Sequence, residues 1–266
     1  MISNWVDVVR TCNIAPDKKM DPVSKWLIIT RSCVFSMTFL SALMGGMLAA
    51  LDGSFFLGRW LLVLLGLILA HAANNMVNDL FDVQQGVDTG DDPRAAYAPH
   101  PLLDGLVSRN GLLAAILACN LVDFAIAVYL THLCGWPVMA FSVAGLLTSV
   151  FYVAPPLKLK HRGLGELAIF LIWGPLMIAG GYYVITGLPW DWTIALASLP
   201  HGLGVTAMLF GKHIDKLEQD KKNRIFTLPV VLGETLARWT MTGLLILSYL
   251  VILYLIFIRF FTPVML

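Results

Sequence analysis

Seven long apolar runs constrain this chain more than any other feature. They cover about Trp26–Leu51, Trp60–Val77, Leu112–Leu133, Pro137–Ala154, Leu164–Thr186, Trp192–Phe210 and Leu236–Phe260. Each approaches the roughly 20 mostly apolar residues that cross a bilayer's hydrocarbon core. A water-soluble domain has no use for so much apolar length. Of the 266 residues, 58% are hydrophobic and only 13% charged, against roughly 25% charged in soluble domains. These figures exclude a disordered chain, a disulfide-rich secreted module and an ordinary cytosolic enzyme. The remaining class is an all-α polytopic membrane protein, a bundle of about seven transmembrane helices forming a single domain, 1–266.

The formal net charge is +1, which gives no electrostatic reason to expect a nucleic-acid partner. Cys12, Cys33, Cys119 and Cys134 show no CxxC spacing, so they are expected to be small packing residues. Residues 1–25 carry Asp7, Asp17 and Asp21 beside Arg10, Lys18 and Lys19. No apolar core with a small-residue cleavage site stands there, so the segment reads as a cytoplasmic lead-in and not as a removable signal peptide.

Orientation follows from the basic residues. With the N-terminus inside, sixteen of the 18 Lys and Arg lie in inner segments or at inner span ends, and only Arg59 and Arg259 fall outside. The positive-inside rule then puts the N-terminus and the long loops on the cytoplasmic face of an inner membrane. Two of those loops are acidic, and each directly follows a span.

The first runs from His71 to Asp88. At about 100° per residue, His71, Asn74, Asn75, Asn78 and Asp82 share one helical face, with Asp79 at its margin. Such groups could simply cap the helix and satisfy one another. Acidic side chains at a helix C-terminus, however, oppose the macrodipole, so a bound cation explains them better. The second runs from Gly211 to Arg224 and contains Asp215, Glu218 and Asp220 among Lys212, Lys216, Lys221 and Lys222. It reads either as a solvated charge run or as a phosphate site, with carboxylates for metal and cations for oxygens. Magnesium suits carboxylates that come in separate groups, because it keeps waters and substrate phosphate oxygens in its shell. A third inner loop offers Lys158, Lys160 and Arg162, which serve either as topological anchors or as a grip on diphosphate.

Read together, these motifs resemble the UbiA superfamily of intramembrane prenyltransferases. NDLFDVQQGVDT (Asn78 to Thr89) is similar to that family's first acidic signature. Asp220 with the trailing TLPVVLG (Thr227 to Gly233) resembles the second, and YVAPPLKLKHRGLGE (Tyr152 to Glu166) the stretch between them. GVDT, GLGE and GPL look most like the branch that prenylates dihydroxynaphthoate on the way to menaquinone.

The resemblance implies a helical bundle around a central cavity with cytoplasmic cap loops. It implies that Asn78, Asp79 and Asp82, with Asp88 nearby, hold one Mg2+, and that Asp215, Glu218 and Asp220 serve a second acidic site. Tyr152, Lys158 and Lys160 would lie on the diphosphate, joined by Arg162, Arg94 and Asn75, with Asp79, Asp82, Asp215, Asp220 and Tyr152 forming the catalytic set. Three departures stand out. Asp215 and Asp220 are five residues apart, about 140° round a regular helix, where the family uses four, so either Glu218 substitutes or the segment is not regular helix. His100-Pro101 stands where the family carries a basic residue before proline, and Arg94 is the nearest substitute. The family commonly has about nine spans, whereas seven are counted here.

The implied reaction is magnesium-dependent transfer of a prenyl group from a prenyl diphosphate to a small, aromatic, quinone-precursor acceptor within the lipid. Two alternatives share part of the pattern. An intramembrane terpene cyclase would use every motif. A cation-coupled transporter would place its charges nearer the bilayer midplane, where only Asp123 stands, with Asn120 one turn away as its expected partner. Nothing in the sequence sets an oligomeric state.

Overall fold

The computed structural model describes residues 1–87, 98–189 and 192–265. Two compact units divide the chain: Met1–Leu40 with Leu64–Ala127, and Ser41–Val63 with Val128–Leu266. Its helices, in chain order, are α1 (Ile2–Thr11), α2 (Pro22–Ile29), α3 (Phe35–Leu51), α4 (Leu57–Gln84), α5 (Arg109–Cys134) and α6 (Pro137–Val153). They continue with α7 (Gly165–Leu171), α8 (Gly180–Thr186), α9 (Trp192–Asp215), α10 (Leu217–Lys222), α11 (Leu228–Leu232) and α12 (Glu234–Phe257).

Among the described residues, six helical stretches are long and apolar enough to cross a membrane: Ser32–Leu51, Leu57–Gln84, Arg109–Cys134, Gly165–Thr186, Trp192–Asp215 and Glu234–Phe257. The seventh expected span, α6, is also apolar but has 17 residues. The chain is therefore an integral membrane protein. Leu117, Leu121 and Phe124 of α5, and Trp239, Tyr249 and Phe257 of α12, are exposed. Apolar side chains covering the outside of a helix are what lipid contact requires and water forbids.

In the first unit the N-terminal lead-in is ordered, and Asp21 is the reason. Pro22 supplies the first helical position of α2, and Asp21 caps it by accepting the N–H groups of Val23 and Ser24. The same carboxylate accepts Trp5 Nε1–H at 3.0 Å and Asn4 Nδ2–H at 3.1 Å, which lashes α1 to α2. Donation from the Ser24 hydroxyl, followed by Trp5, holds its carboxyl pKa well below the usual carboxylate range.

The expected first span is broken. Arg31 takes left-handed backbone angles (φ 55°) and is followed by a short 3₁₀ turn, Ser32–Val34, before α3 begins. Cys12 and Cys33, expected as packing residues, are instead joined by a disulfide, with Cα atoms 5.2 Å apart. The reversal of the chain through α2 brings them together across 21 residues, beyond the reach of a spacing rule. Ile29, Met76, Leu80 and Leu112 form a buried apolar cluster in this unit. Asn120 is not the partner of Asp123. It donates to the Ile116 carbonyl of its own helix at 2.8 Å, while Asp123 packs on Gly66, where an added Cβ would lie 2.9 Å from Asp123 Oδ1.

In the second unit the span Gly165–Thr186 runs through a π-helical stretch, Ile172–Ala179, that contains Pro175. Proline has no N–H to give the helix ladder, and a widened turn accommodates it. This stretch crosses α9 at two glycines: a Cβ on Gly202 would stand 2.9 Å from the Phe170 carbonyl oxygen and 3.0 Å from Gly174 Cα. Such close backbone approach is how membrane helices gain packing energy from small residues. Beyond the crossing, α9 packs on α12 through Phe210, Ile214 and Ala237, with Met241 and Leu244 alongside.

Candidate active site

The first acidic segment occupies the last turns of α4. Asp79 is fully buried and Asp82 nearly so. Asp79 pairs with Arg31, whose left-handed backbone turns it back at the helix break. His100 Nε2 lies 3.7 Å from Asp79 Oδ1. The backbone N–H groups of Leu102 and Leu103 both point at His100 Nδ1, at 3.2 and 3.3 Å. Nδ1 is thus an acceptor, and the proton of the neutral ring sits on Nε2, the nitrogen facing Asp79. Asn75 Nδ2 donates to the Thr30 carbonyl at 3.0 Å, closing one backbone group left open by the break. His71 Nδ1 lies 2.7 Å from the Thr38 hydroxyl.

The second acidic segment occupies the end of α9 and all of α10. The five-residue spacing of Asp215 and Asp220 does not sit on a regular helix: α9 stops at Asp215 and α10 restarts at Leu217, so the 140° argument lapses. Asp215 and Glu218 are exposed, whereas Asp220 is buried. Burial pushes the Asp220 carboxyl up. His213 and Lys160, followed by Lys216 and Lys212, pull it back.

Both segments end on the same backbone device. The N–H of Val87 bonds to the Asp82 carbonyl at 2.8 Å and that of Gly86 to Val83 at 3.1 Å. Likewise Ile225 bonds to Asp220 at 2.8 Å and Arg224 to Lys221 at 3.2 Å. These are paired Schellman closures, in which the residue after the cap adopts left-handed angles. Gly86 (φ 68°) does so freely, whereas Arg224 (φ 57°) is a side-chain-bearing residue in the same place. In each case the aspartate supplies the third carbonyl from the end, which aims a carboxylate at the negative end of the helix dipole. Replacing Arg224 with Gly is expected to stabilise the protein by up to about 1 kcal/mol, read as a rise in the thermal midpoint in detergent. A fall would mean that the Arg224 side chain itself holds the segment.

The remaining predicted residues divide. Tyr152 is buried against Gly165, where a Cβ would lie 3.2 Å from Tyr152 Cε2. Lys158 and Lys160 are half-buried, with Lys158 in left-handed angles (φ 46°) at the head of a 3₁₀ turn. Arg162 is exposed and donates to the Pro156 carbonyl at 3.0 Å, so its guanidinium serves its own loop. Asp88 and Arg94 lie outside the described residues. Sequence reasoning missed Arg31 as the partner of Asp79 and gave His100 no role beside it. Glu166 and His213 also escaped it, because no local pattern marks a buried pair 47 residues apart.

Asn78 Oδ1 and Asp220 Oδ2 are buried with no hydrogen-bond partner. Orphaned buried oxygens of this kind need an explanation, and hard oxygen donors fit a magnesium ion. Among the described residues no three His, Cys, Asp or Glu side chains gather as one cage.

Comparison with known families matches residues 38–266 to the UbiA prenyltransferase family. The chain is 26% identical over 245 residues to the 2-carboxy-1,4-naphthoquinone phytyltransferase of Synechocystis, covering 88% of this chain and 76% of that one. It is 24% identical over 224 residues to the 1,4-dihydroxy-2-naphthoate octaprenyltransferase of Bacillus subtilis, covering 82% and 69%. Across these and other curated relatives it spans 62–77% of the relative's own length. Among solved structures it resembles a UbiA homolog from Archaeoglobus fulgidus bound to GPP and Mg2+, with TM-score 0.68, 18% identity, and 88% and 78% of the two chains covered. With its family match covering most of its length, the chain belongs to the UbiA prenyltransferase family.

Proposed function

We propose that this protein transfers a prenyl group from a prenyl diphosphate to a small aromatic acceptor of the naphthoate type, with Mg2+ as cofactor. The observation that carries the reading is the pair of orphaned buried oxygens, Asn78 Oδ1 and Asp220 Oδ2, one in each acidic segment. The naphthoate-directed relatives support the acceptor class, and the magnesium-bound neighbour supports the cofactor.

Asn78, Asp79, Asp82 and Asp88 would hold one magnesium ion, and Asp215, Glu218 and Asp220 would serve the other; the chemistry supplied there would be neutralisation of the charge on a departing diphosphate. The chain's own groups do the rest. Arg31 offsets the Asp79 charge, so that the first segment can be buried without a net penalty of several kcal/mol, roughly the cost of an unpaired buried ion. Lys158 and Lys160 grip phosphate oxygens, with Tyr152 beside them, while Arg162 and Asn75 shape the loops that carry the site. The apolar helices around it keep water from the reacting carbon. Both acidic segments serve this one reaction, on the side of the membrane that holds the excess of Lys and Arg, which the positive-inside rule makes the cytoplasmic side.

Lys158→Ala and Lys160→Ala are each expected to raise the apparent KM for the prenyl diphosphate about tenfold or more, since a charge-assisted hydrogen bond contributes about 1.5–3 kcal/mol. The KM for the acceptor should hardly move. Normal donor binding by both variants would reduce these lysines to topological anchors. The reading as a whole is tested by incubating the purified protein with prenyl diphosphates of several lengths, with and without dihydroxynaphthoate and simpler phenols, with and without magnesium. Mass spectrometry should find a prenylated aromatic only where donor, acceptor and magnesium are all present. A cyclic hydrocarbon formed without acceptor would overturn it.

A further inference from the structure

One buried carboxylate fastens both ends of the second acidic segment. Glu166, in the first turn of α7, is 1% exposed, and His213, in the last turn of α9, is 3% exposed. Glu166 Oε1 lies 2.7 Å from His213 Nδ1 and accepts the N–H of Leu228 at 3.3 Å. Leu228 opens α11, and its N–H is one of the donors that a helix start leaves without an intrahelical partner. Thr227, the cap residue, makes no side-chain bond to that helix. Glu166 therefore caps α11 from another element.

The two attachment points bracket the chemistry-bearing stretch. His213 stands two residues before Asp215, and Leu228 stands three after Ile225, whose N–H closes the turn on Asp220. Between them lie Asp215, Glu218 and Asp220. The residue before it, Gly165, stands against the cation loop: a Cβ there would lie 3.1 Å from Lys160 Cα. Glu166 Oε2 is buried with no hydrogen-bond partner. A carboxylate sequestered this far from water is costly unless it secures something. The two groups it secures, the His213 ring and the Leu228 N–H, stand at the two ends of the second acidic segment.

We propose that Glu166 is a positioning residue: by clamping residues 213–228 at both ends, through His213 and the Leu228 N–H, it sets where Asp215 and Asp220 present their oxygens to magnesium and diphosphate. The proposal rests on the assignment of that segment to the metal. Groups that orient metal ligands without touching the ion typically change its affinity by about 10–100-fold.

The test is Mn2+ binding to the purified full chain in detergent with inorganic diphosphate present, read from the electron paramagnetic resonance signal of free Mn2+. It is run beside the magnesium dependence of prenyl transfer. Glu166→Gln and Glu166→Ala should each weaken Mn2+ binding at least tenfold and shift the half-saturating magnesium concentration by a similar factor. Glu166→Asp, too short to reach both partners, should fall between them and the parent chain. A role confined to general stability would lower the amount of competent protein, and hence the amplitude, without moving either midpoint. Gln keeps the shape of Glu, so that variant reports even where Ala fails to fold. Midpoints within twofold of the parent for Glu166→Gln would overturn the proposal while Asp220→Asn still shifts them. An unmoved midpoint in Asp220→Asn would instead remove the metal assignment of the segment, and the proposal with it.

Discussion

Asp82→Asn is expected to lower prenyl transfer at limiting magnesium by at least about 100-fold, because groups that merely orient a ligand already change metal affinity by about 10–100-fold. Asp82 is nearly buried on the last turn of α4. Its carboxylate stands at a helix end whose dipole disfavours negative charge, so in the absence of a cation it would be a poor choice of residue. The amide keeps the shape and removes the charge. Asp220→Asn should behave alike, for the same position in the same closing turn. The double variant should be little worse than the poorer single one, since groups that act as a unit give strongly non-additive losses. Raising magnesium should restore part of the activity of each single variant. Full activity of Asp82→Asn in a magnesium-limited assay would end the prenyl-transfer reading. Losses that simply multiply would mean that the two segments serve separate functions.

How much of this could be read from the sequence depended on how local each signal is. Spans were legible because hydropathy accumulates along a run, and α4, α5, α9 and α12 lie where their apolar stretches do. The two acidic segments were legible because three or more acidic groups beside a span have few purposes. The break at Arg31 was not. Trp26–Leu51 reads as one apolar run, and the left-handed residue is an arginine where glycine would have signalled a turn. Its cause is tertiary, namely the buried Asp79 to which Arg31 is drawn. The interruption at Lys216 was legible only as one of two readings of the five-residue spacing, since no Gly or Pro stands there to mark its place. The disulfide and the Glu166–His213 pair escaped because each joins residues far apart in sequence. Periodicity is blind to such contacts.

Arg31→Met should destabilise the protein by about 3–5 kcal/mol, the typical loss when one partner of a buried ion pair is removed. The effect is asymmetric. Asp79 is completely buried, while the Arg31 side chain keeps 20% of its exposure. Removing Arg31 takes the guanidinium away from a carboxylate that is completely buried, and His100, 3.7 Å from it, carries a single proton on the facing nitrogen. Removing the Asp79 charge leaves a guanidinium that can still reach solvent. Asp79→Asn alone should therefore cost less than Arg31→Met. In the double variant most of the stability lost through Arg31→Met should return, because no charge is left unpaired. Activity should not return with it: the double variant lacks both the carboxylate of the first acidic motif and the cation beside it. Thermal unfolding in detergent micelles, run beside the transfer assay, separates the two effects. If Arg31→Met and the double variant unfold at the same temperature, Arg31 stabilises the helix break in some other way. If the double variant regains activity together with stability, Asp79 holds no metal, and its only work is to anchor Arg31.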